Sequence, residues 1–534
     1  MNRRNTRFHC NCETLRAAMR SFCIWPLLAS ASAVTLLNGQ FRPPSLQIHQ
    51  RHPGARLSEA TLAIRASEAQ QVAAWVAQSG GQCDAVRVTA SDKGLGLVAA
   101  KDVRRGDDLL SVPLSLGLTT ETVLRSSIGA FLADFEPELG DYAFIAIALL
   151  HERRLGDQSE LAPWMSATTL LPPGGFGDLP PLWEGDELAE LAGATTAGAA
   201  ARRAAIQADF EWLEENVFET SPVVFPPFVF TLEAYTAAVA VAISRCVTGS
   251  GDDAYDEVPM LVPMLDLPNH EGAAPSATAQ ARAEKGGLFG AGGAPACAVL
   301  VATRDVNAGE PVCLRYDGET SGQLLLDYGF LEEPVEPVAM FTFELDENDR
   351  FLDEKLDVLE QAGFGFDNSW LIGEDAPPPG ELIAFLRLKN LNAADAFLLE
   401  PVFIDAIWSE HLQLPVSKEN EEAALNEGAQ RCAAALATLT GSVQADLAVL
   451  AEAERSSREY ALAAVRYAER RAVQSAERWF ALQLSGLTNL EYYQERRLSA
   501  MGLQPIETED ELDALRAVGD RAGGRRYGAN DYKW

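Results

Sequence analysis

The chain has 534 residues, more than the ~250–300 that one hydrophobic core normally organises, and its 47% hydrophobic content is enough to bury more than one core. A formal net charge of -34 excludes a general nucleic-acid binder, which needs basic surface to displace phosphate counterions, so no nucleic-acid partner is expected. Eight cysteines are scattered along the chain, and only Cys10 and Cys12 stand close together. With no second pair at zinc-ligand spacing, neither a metal centre nor a disulfide scaffold is expected.

Residues 1–65 read as a targeting leader that is disordered or removed. Arg3, Arg4, Arg7, Arg16 and Arg20 precede an apolar stretch from Phe22 to Leu37, and Glu13 is the only acidic residue before Glu59. The apolar stretch falls short of the ~20 residues of a membrane-spanning helix and ends in small residues, as a signal segment does. A basic, proline-containing, acid-poor segment follows. This order of parts points to a plastid address and to a mature chain without stable membrane insertion; a plain tail on a cytoplasmic or nuclear protein is the alternative.

From about Cys83 the text is strand-like: AVRVTA, LGLVAAKDV and DLLSVP, punctuated by Gly94, Gly96 and Gly106. Between residues 119 and 255 the apolar period becomes helical, as in Tyr142, Ile145 and Leu149, or Ile206, Phe210, Leu213 and Val217. Strand-like text returns in VPMLVPMLD, CAVLVATRDV and PVCLRYD, with the glycine-rich EKGGLFGAGGAPA between them. Beyond Asp346 the pattern is helical again. The expected fold class is α+β: a β domain over 83–335 split by a helical insert at 119–255, an all-α domain over 346–505, and a tail at 506–534.

Four segments, taken in order, resemble the Rubisco large-subunit methyltransferase-like branch of the SET-domain family. They are SDKGLGLVAAKDVRRGDDLLSVP, WMSATTLLP, the pair ISRCV and LVPMLDLPNH, and VATRDVNAGEPVCLRYDGETSGQLLLDYGFLEE. Downstream, LIAFLRLKNL and the Asn426–Glu427 pair resemble the helical substrate-binding domain of that family. The resemblance covers about residues 83 to 500. It implies a SET β-fold, S-adenosylmethionine as cofactor, no metal, and methyl transfer to a lysine of a protein substrate by an enzyme acting as a monomer.

The resemblance also implies the site. Lys93, Gly94 and Leu95 contact the cofactor, with glycine allowing close backbone approach. Asn269 and His270 match the pair that binds the cofactor's adenine and main chain. Arg245 matches the arginine that meets the cofactor carboxylate beside the substrate channel, a task suited to a planar donor fork. Tyr316 matches the catalytic tyrosine, Tyr328 a second tyrosine lining the lysine channel, and Asp266 a substrate-side acid. The chemistry needs a neutral amine, and lysine's pKa of ~10.4 must be lowered by a channel of low dielectric. Two departures bear on the substrate: Ser321 stands where asparagine is usual, and Gly249 where a plant Rubisco methyltransferase carries a substrate-side arginine. Protein-histidine methylation and a non-catalytic binding module are the competing readings; joint retention of Arg245, Asn269, His270, Tyr316 and Tyr328 argues against the second.

Overall fold

The computed structural model describes residues 59–502 except 92–93, 136–138, 166–178, 180–193, 250–257, 283–295, 319, 393, 401, 404–405 and 456. The leader up to residue 58, Lys93 and the tail from 503 therefore lie outside the described residues. Contacts divide the chain into two units, one comprising residues up to Phe341 with Ala435–Val473, the other Thr342–Ala434 with the residues from Gln474 onward.

The first unit opens with α1 (Glu59–Gln78). Ala69, Val72, Ala73 and Val76 recur at helical spacing and are buried in the main core. Helix α1 thus starts inside the span expected to be leader, at Glu59. The reason is this apolar stripe, whose burial against the β domain fixes the helix.

Three strands follow: β1 (Val86–Ser91), β2 (Gly94–Ala99) and β3 (Asp108–Pro113). The helical insert carries α2 (Asp141–Leu155), α3 (Ala194–Leu213) and α4 (Leu232–Arg245), the last capped by Thr231, whose hydroxyl accepts from Ala234 N at 3.1 Å. Six strands come after it: β4 (Val247–Thr248), β5 (Pro259–Met260), β6 (Asn269–His270), β7 (Ala277–Arg282), β8 (Cys297–Ala302) and β9 (Pro311–Leu314). Strands from either side of the insert share sheets, in the orders β1-β2-β9-β6 and β3-β8-β7. β2 is antiparallel to β9, with Leu97 opposite Val312, and β6 is parallel to it, with Asn269 opposite Cys313. The insert is therefore an excursion from a single β framework.

Helix α5 (Ser321–Tyr328) closes the β framework. Thr320 Oγ1 accepts from Gln323 N at 3.1 Å, and Gln323 Oε1 accepts from Thr320 N at 3.2 Å. This capping box does here what S-x-x-E does elsewhere, so the unusual TSGQ text preserves the helix start. Gly329 ends the helix in the left-handed region, with φ of 74°.

The second unit takes in the last three residues of β10 (Val338–Glu344) and all of β11 (Asp367–Gly373), which pair as a two-stranded ribbon. It also holds α6 (Leu352–Gln361), α7 (Gly380–Lys389) and most of α8 (Lys418–Thr438). The ribbon interrupts the all-helical reading of this region because Trp370 and Ile372 alternate inward, a period of two within a short segment. Chain beyond α8, namely α9 (Val443–Glu452) and the first half of α10 (Arg458–Ser485), groups with the first unit. There Ala461, Leu462, Ala464 and Val465 pack with Leu325, Leu326 and Leu331. Among the described residues, no single helix is long and apolar enough to cross a membrane.

Candidate active site

The strand order places β9 between the glycine strand β2 and the Asn269–His270 strand β6. Tyr316, two residues past the end of β9, therefore emerges beside both. Its hydroxyl donates to Pro268 O at 2.7 Å, and its backbone N–H donates to His270 Nδ1 at 3.1 Å. The Tyr316 and Tyr328 rings lie 4.6 Å apart, and Phe330 completes an aromatic enclosure with ring centroids 6.1 and 6.3 Å from those two tyrosines. Tyr328 owes its place to the C-terminal turn of α5.

Asn269 and His270 are both buried. Asn269 Nδ2 donates to Leu95 O at 3.2 Å, across β2. A Cβ on Gly96 would stand 2.5 Å from that nitrogen, so glycine is the residue that lets the side chain through. Gly94 has φ of 87°, and a Cβ there would meet none of the described residues within 4 Å. Asn269 Oδ1 is buried with no hydrogen-bond partner among the described residues. An orphaned acceptor of this kind costs about 1–3 kcal/mol until a donor reaches it. His270 Nε2 faces Glu332 Oε2 at 3.3 Å.

Arg245, the last residue of α4, donates from Nη1 to Asp266 O at 3.1 Å. Burial lowers its pKa, and the neighbouring Asp266 opposes that shift. The remaining donors of its fork make no other bond among the described residues. Met264, just before Asp266, holds φ of 71°, a left-handed conformation for a side-chain-bearing residue in the segment that delivers Asp266, Pro268 and Asn269.

The structure therefore brings Leu95, Arg245, Asp266, Asn269, His270, Tyr316 and Tyr328 into one chain of contacts, with Gly94 at its edge. Sequence reading missed Asp317, Arg202, Asp327 and Glu332 around them. Asp317 Oδ2 accepts from Thr248 Oγ1 at 2.8 Å, and desolvation raises the Asp317 carboxyl above the ordinary range against that bond. Arg202 of α3 is ion-paired with Asp327 of α5, and burial lowers its pKa to about 10 within the field of Tyr142 and Tyr328. Glu332 is the fourth. Asp317 and Glu332 both stand in quoted motifs, RYD and GFLEE, and for Asp317 its place next to Tyr316 was the available signal. Arg202 gives none, being one of several arginines in an alanine-rich helix. At Gly249 a Cβ would meet Met260 Cε at 3.0 Å and Ala281 N at 3.1 Å, so the position is closed to a larger side chain unless neighbours move.

The chain is similar to known proteins over most of its length. The family model described as Rubisco LSMT substrate-binding matches residues 346–473. The chain is 30% identical over 420 residues to the chloroplastic [fructose-bisphosphate aldolase]-lysine N-methyltransferase of Arabidopsis thaliana, covering 77% of this chain and 82% of that protein. It is 32% identical over 424 residues to the chloroplastic ribulose-1,5 bisphosphate carboxylase/oxygenase large subunit N-methyltransferase of Pisum sativum, covering 78% and 82%. Among solved structures, the SET domain of LSMT bound to lysine and AdoHcy superposes with a TM-score of 0.66 at 30% identity, covering 84% of this chain and 99% of that one.

Proposed function

The chain belongs to the SET-domain protein-lysine N-methyltransferases of the Rubisco large-subunit type, and from that membership we propose that it methylates a lysine of a plastid protein at a site centred on Tyr316. It is an S-adenosylmethionine-dependent enzyme acting on a protein substrate. The observation that carries the site assignment is the double anchoring of Tyr316, by hydroxyl to Pro268 and by backbone to His270, inside an aromatic enclosure.

The residues present fit the cofactor. Asn269 Oδ1 is a buried acceptor awaiting a donor, a Cβ on Gly94 would meet none of the described residues, and Arg245 retains donors suited to a carboxylate. These residues, the Leu95 backbone and the main chain of His270 would hold it. When bound, S-adenosylmethionine supplies an electrophilic methyl group on a sulfonium. Both His270 ring nitrogens are engaged within the protein, which leaves its main chain for that contact.

Tyr316 has its hydroxyl proton committed to Pro268, so its oxygen accepts an N–H from the incoming amine and turns the amine's lone pair elsewhere. Tyr316, Tyr328 and Phe330 exclude water around the amine, and this disfavours ammonium over amine. Alignment in that enclosure is the main source of rate. Asp266 serves by holding Arg245 and by drawing the cationic side chain inward.

The plastid location is supported by the chloroplastic relatives and by the basic, acid-poor first 58 residues. Rubisco and aldolase, the substrates named for those relatives, are the first acceptors to try; Gly249 makes this substrate wall differ from an arginine-bearing one. The test is mass spectrometry of plant Rubisco, plastid aldolase and a plastid extract, each incubated with enzyme and isotopically labelled cofactor. Label on lysine is expected. Label on histidine, or on no protein at all, would overturn the reading.

A further inference from the structure

We propose that Glu332 is a positioning residue for Tyr316 and acts through the His270 ring. This rests on the reading of Tyr316 as the residue that meets the amine. The Tyr316 backbone N–H can donate only to an unprotonated nitrogen, so Nδ1 of neutral His270 must be the acceptor and Nε2 must carry the proton. That proton points at Glu332 Oε2, 3.3 Å from Nε2. The carboxylate thus selects the tautomer and ring angle that the Tyr316 backbone requires.

The surroundings hold Glu332 to this task. The hydrogen bond from His270 lowers its pKa, burial opposes, and the Gly272 N–H and the Arg315 charge assist. Gly272 has no side chain where a Cβ would run into the carboxylate. Tyr328, Phe330 and Glu332 alternate along one short segment that starts at the last residue of α5. The first two pack their rings on Tyr316, and the third fixes the histidine that fixes its backbone. The adjacent acid does different work: Glu333 accepts from Arg455 Nη1 and from Tyr460 OH, both at 2.9 Å, and ties the segment to α10.

The test uses the full chain and three variants, Glu332→Ala, Glu332→Gln and Glu333→Ala, with Tyr316→Phe assayed in parallel. Two readouts need no acceptor protein. Long-range proton–nitrogen NMR on 15N-histidine-labelled chain should show His270 as the Nε2–H tautomer; an Nδ1–H tautomer overturns the proposal. Calorimetry with S-adenosylhomocysteine should give affinities for both Glu332 variants within about threefold of the parent. A loss of binding would make Glu332 part of the cofactor grip and overturn the positioning role. With Rubisco or aldolase as acceptor, Glu332→Ala should lower kcat about tenfold to a hundredfold, the scale of a misaligned reacting group. Glu332→Gln, whose amide oxygen still accepts from Nε2–H, should recover most of it. Glu333→Ala should lower the melting temperature and leave kcat alone. A Glu332→Ala enzyme at parental kcat, with Tyr316→Phe impaired, sinks this inference alone; Tyr316→Phe at parental kcat sinks the reading beneath it.

Discussion

Arg387 in the second unit and Arg245 in the first both carry a guanidinium out of bulk water, and they are bonded in opposite ways. Arg387 gives Nε and Nη2 to Glu421 at 2.6 and 2.8 Å and Nη1 to Leu412 O at 2.9 Å, and Asn420 Nδ2 donates to Arg387 O at 2.9 Å. Among the described residues the Arg245 side chain makes one hydrogen bond, to the Asp266 backbone oxygen, and the buried Asn269 Oδ1 of the same candidate site has no partner. The Arg387 guanidinium is completed by its carboxylate and carbonyl, whereas Arg245 keeps donors that a ligand can take. An unpaired amide oxygen does not by itself separate the two, since Asn420 Oδ1 lacks a partner among the described residues as Asn269 Oδ1 does.

The largest expected effect lies on the completed side. Arg387→Ala leaves the buried Glu421 carboxylate without its counter-charge, which typically costs about 3–5 kcal/mol. Arg245→Ala removes one bond to a carbonyl and the charge facing the buried Asp266 carboxylate, which it does not bond directly, and should cost less, about 1–3 kcal/mol of stability. Denaturant unfolding of both variants without cofactor measures the gap. Equal losses would erase the contrast between the two arginines.

Next comes Tyr316→Phe, which keeps the ring against Tyr328 and removes only the hydroxyl. Single-turnover methyl transfer at saturating cofactor should fall by ~10²–10³, the scale of losing one aligned hydrogen bond in a dry site. S-adenosylhomocysteine affinity and melting temperature should stay near the parent. A Phe variant at the parental rate would reduce Tyr316 to packing.

Asn269→Ala separates the two kinds of network at a single residue. It removes the acceptor that waits for a ligand, so S-adenosylhomocysteine binding by calorimetry should weaken by about 1–3 kcal/mol. It also removes an orphan, which offsets the lost bond to Leu95, so stability without ligand should change by less than about 1 kcal/mol. Unchanged affinity would take Asn269 out of the site.

Much of this was legible in the sequence, for identifiable reasons. Alternation in AVRVTA and the glycines of LGLGL-type text reflect strand sterics, which act over a few residues and are visible locally. The NH pair, LRYD and DYGF are short, so the residues that must converge are named even though nothing in the text states a distance. What stayed hidden depends on pairing across long separations. Glu332 meets His270 from 62 positions away, and Arg202 meets Asp327 from 125. The left-handed Met264 has no sequence mark, because a side-chain-bearing residue is held there only by the surrounding fold. Helix α1 carries a readable stripe at Ala69, Val72, Ala73 and Val76, but its first turns, from Glu59, fall in the span expected to be leader because they follow directly on acid-poor text. The strand Asp367–Gly373 is too short to outweigh the helices on either side.

The smallest effect tests whether an orphaned polar atom marks a ligand site wherever it occurs. His151 of α2 is buried, with Nε2 3.2 Å from Ser127 Oγ and Nδ1 without a partner among the described residues, and no candidate site residue lies in α2. Burial, with Arg154 adding to it, pushes its pKa down to about 4. The unfolded chain titrates near ~6.5, so its contribution is fully present above that value. As pH falls between the two values, the unfolded chain binds a proton that the folded chain refuses, and stability declines. Near pH ~5.5 the loss should reach about 1 kcal/mol, before carboxylates begin to contribute. His151→Gln removes the titration, so the fall in stability from pH ~7 to ~5.5 should be smaller in the variant by that amount. The difference should be the same with and without S-adenosylhomocysteine, because an orphan that simply keeps a histidine neutral needs no ligand. If the ligand abolished it, His151 would belong to the same incomplete network as Asn269, and the boundary drawn between site and structure would have to move into α2.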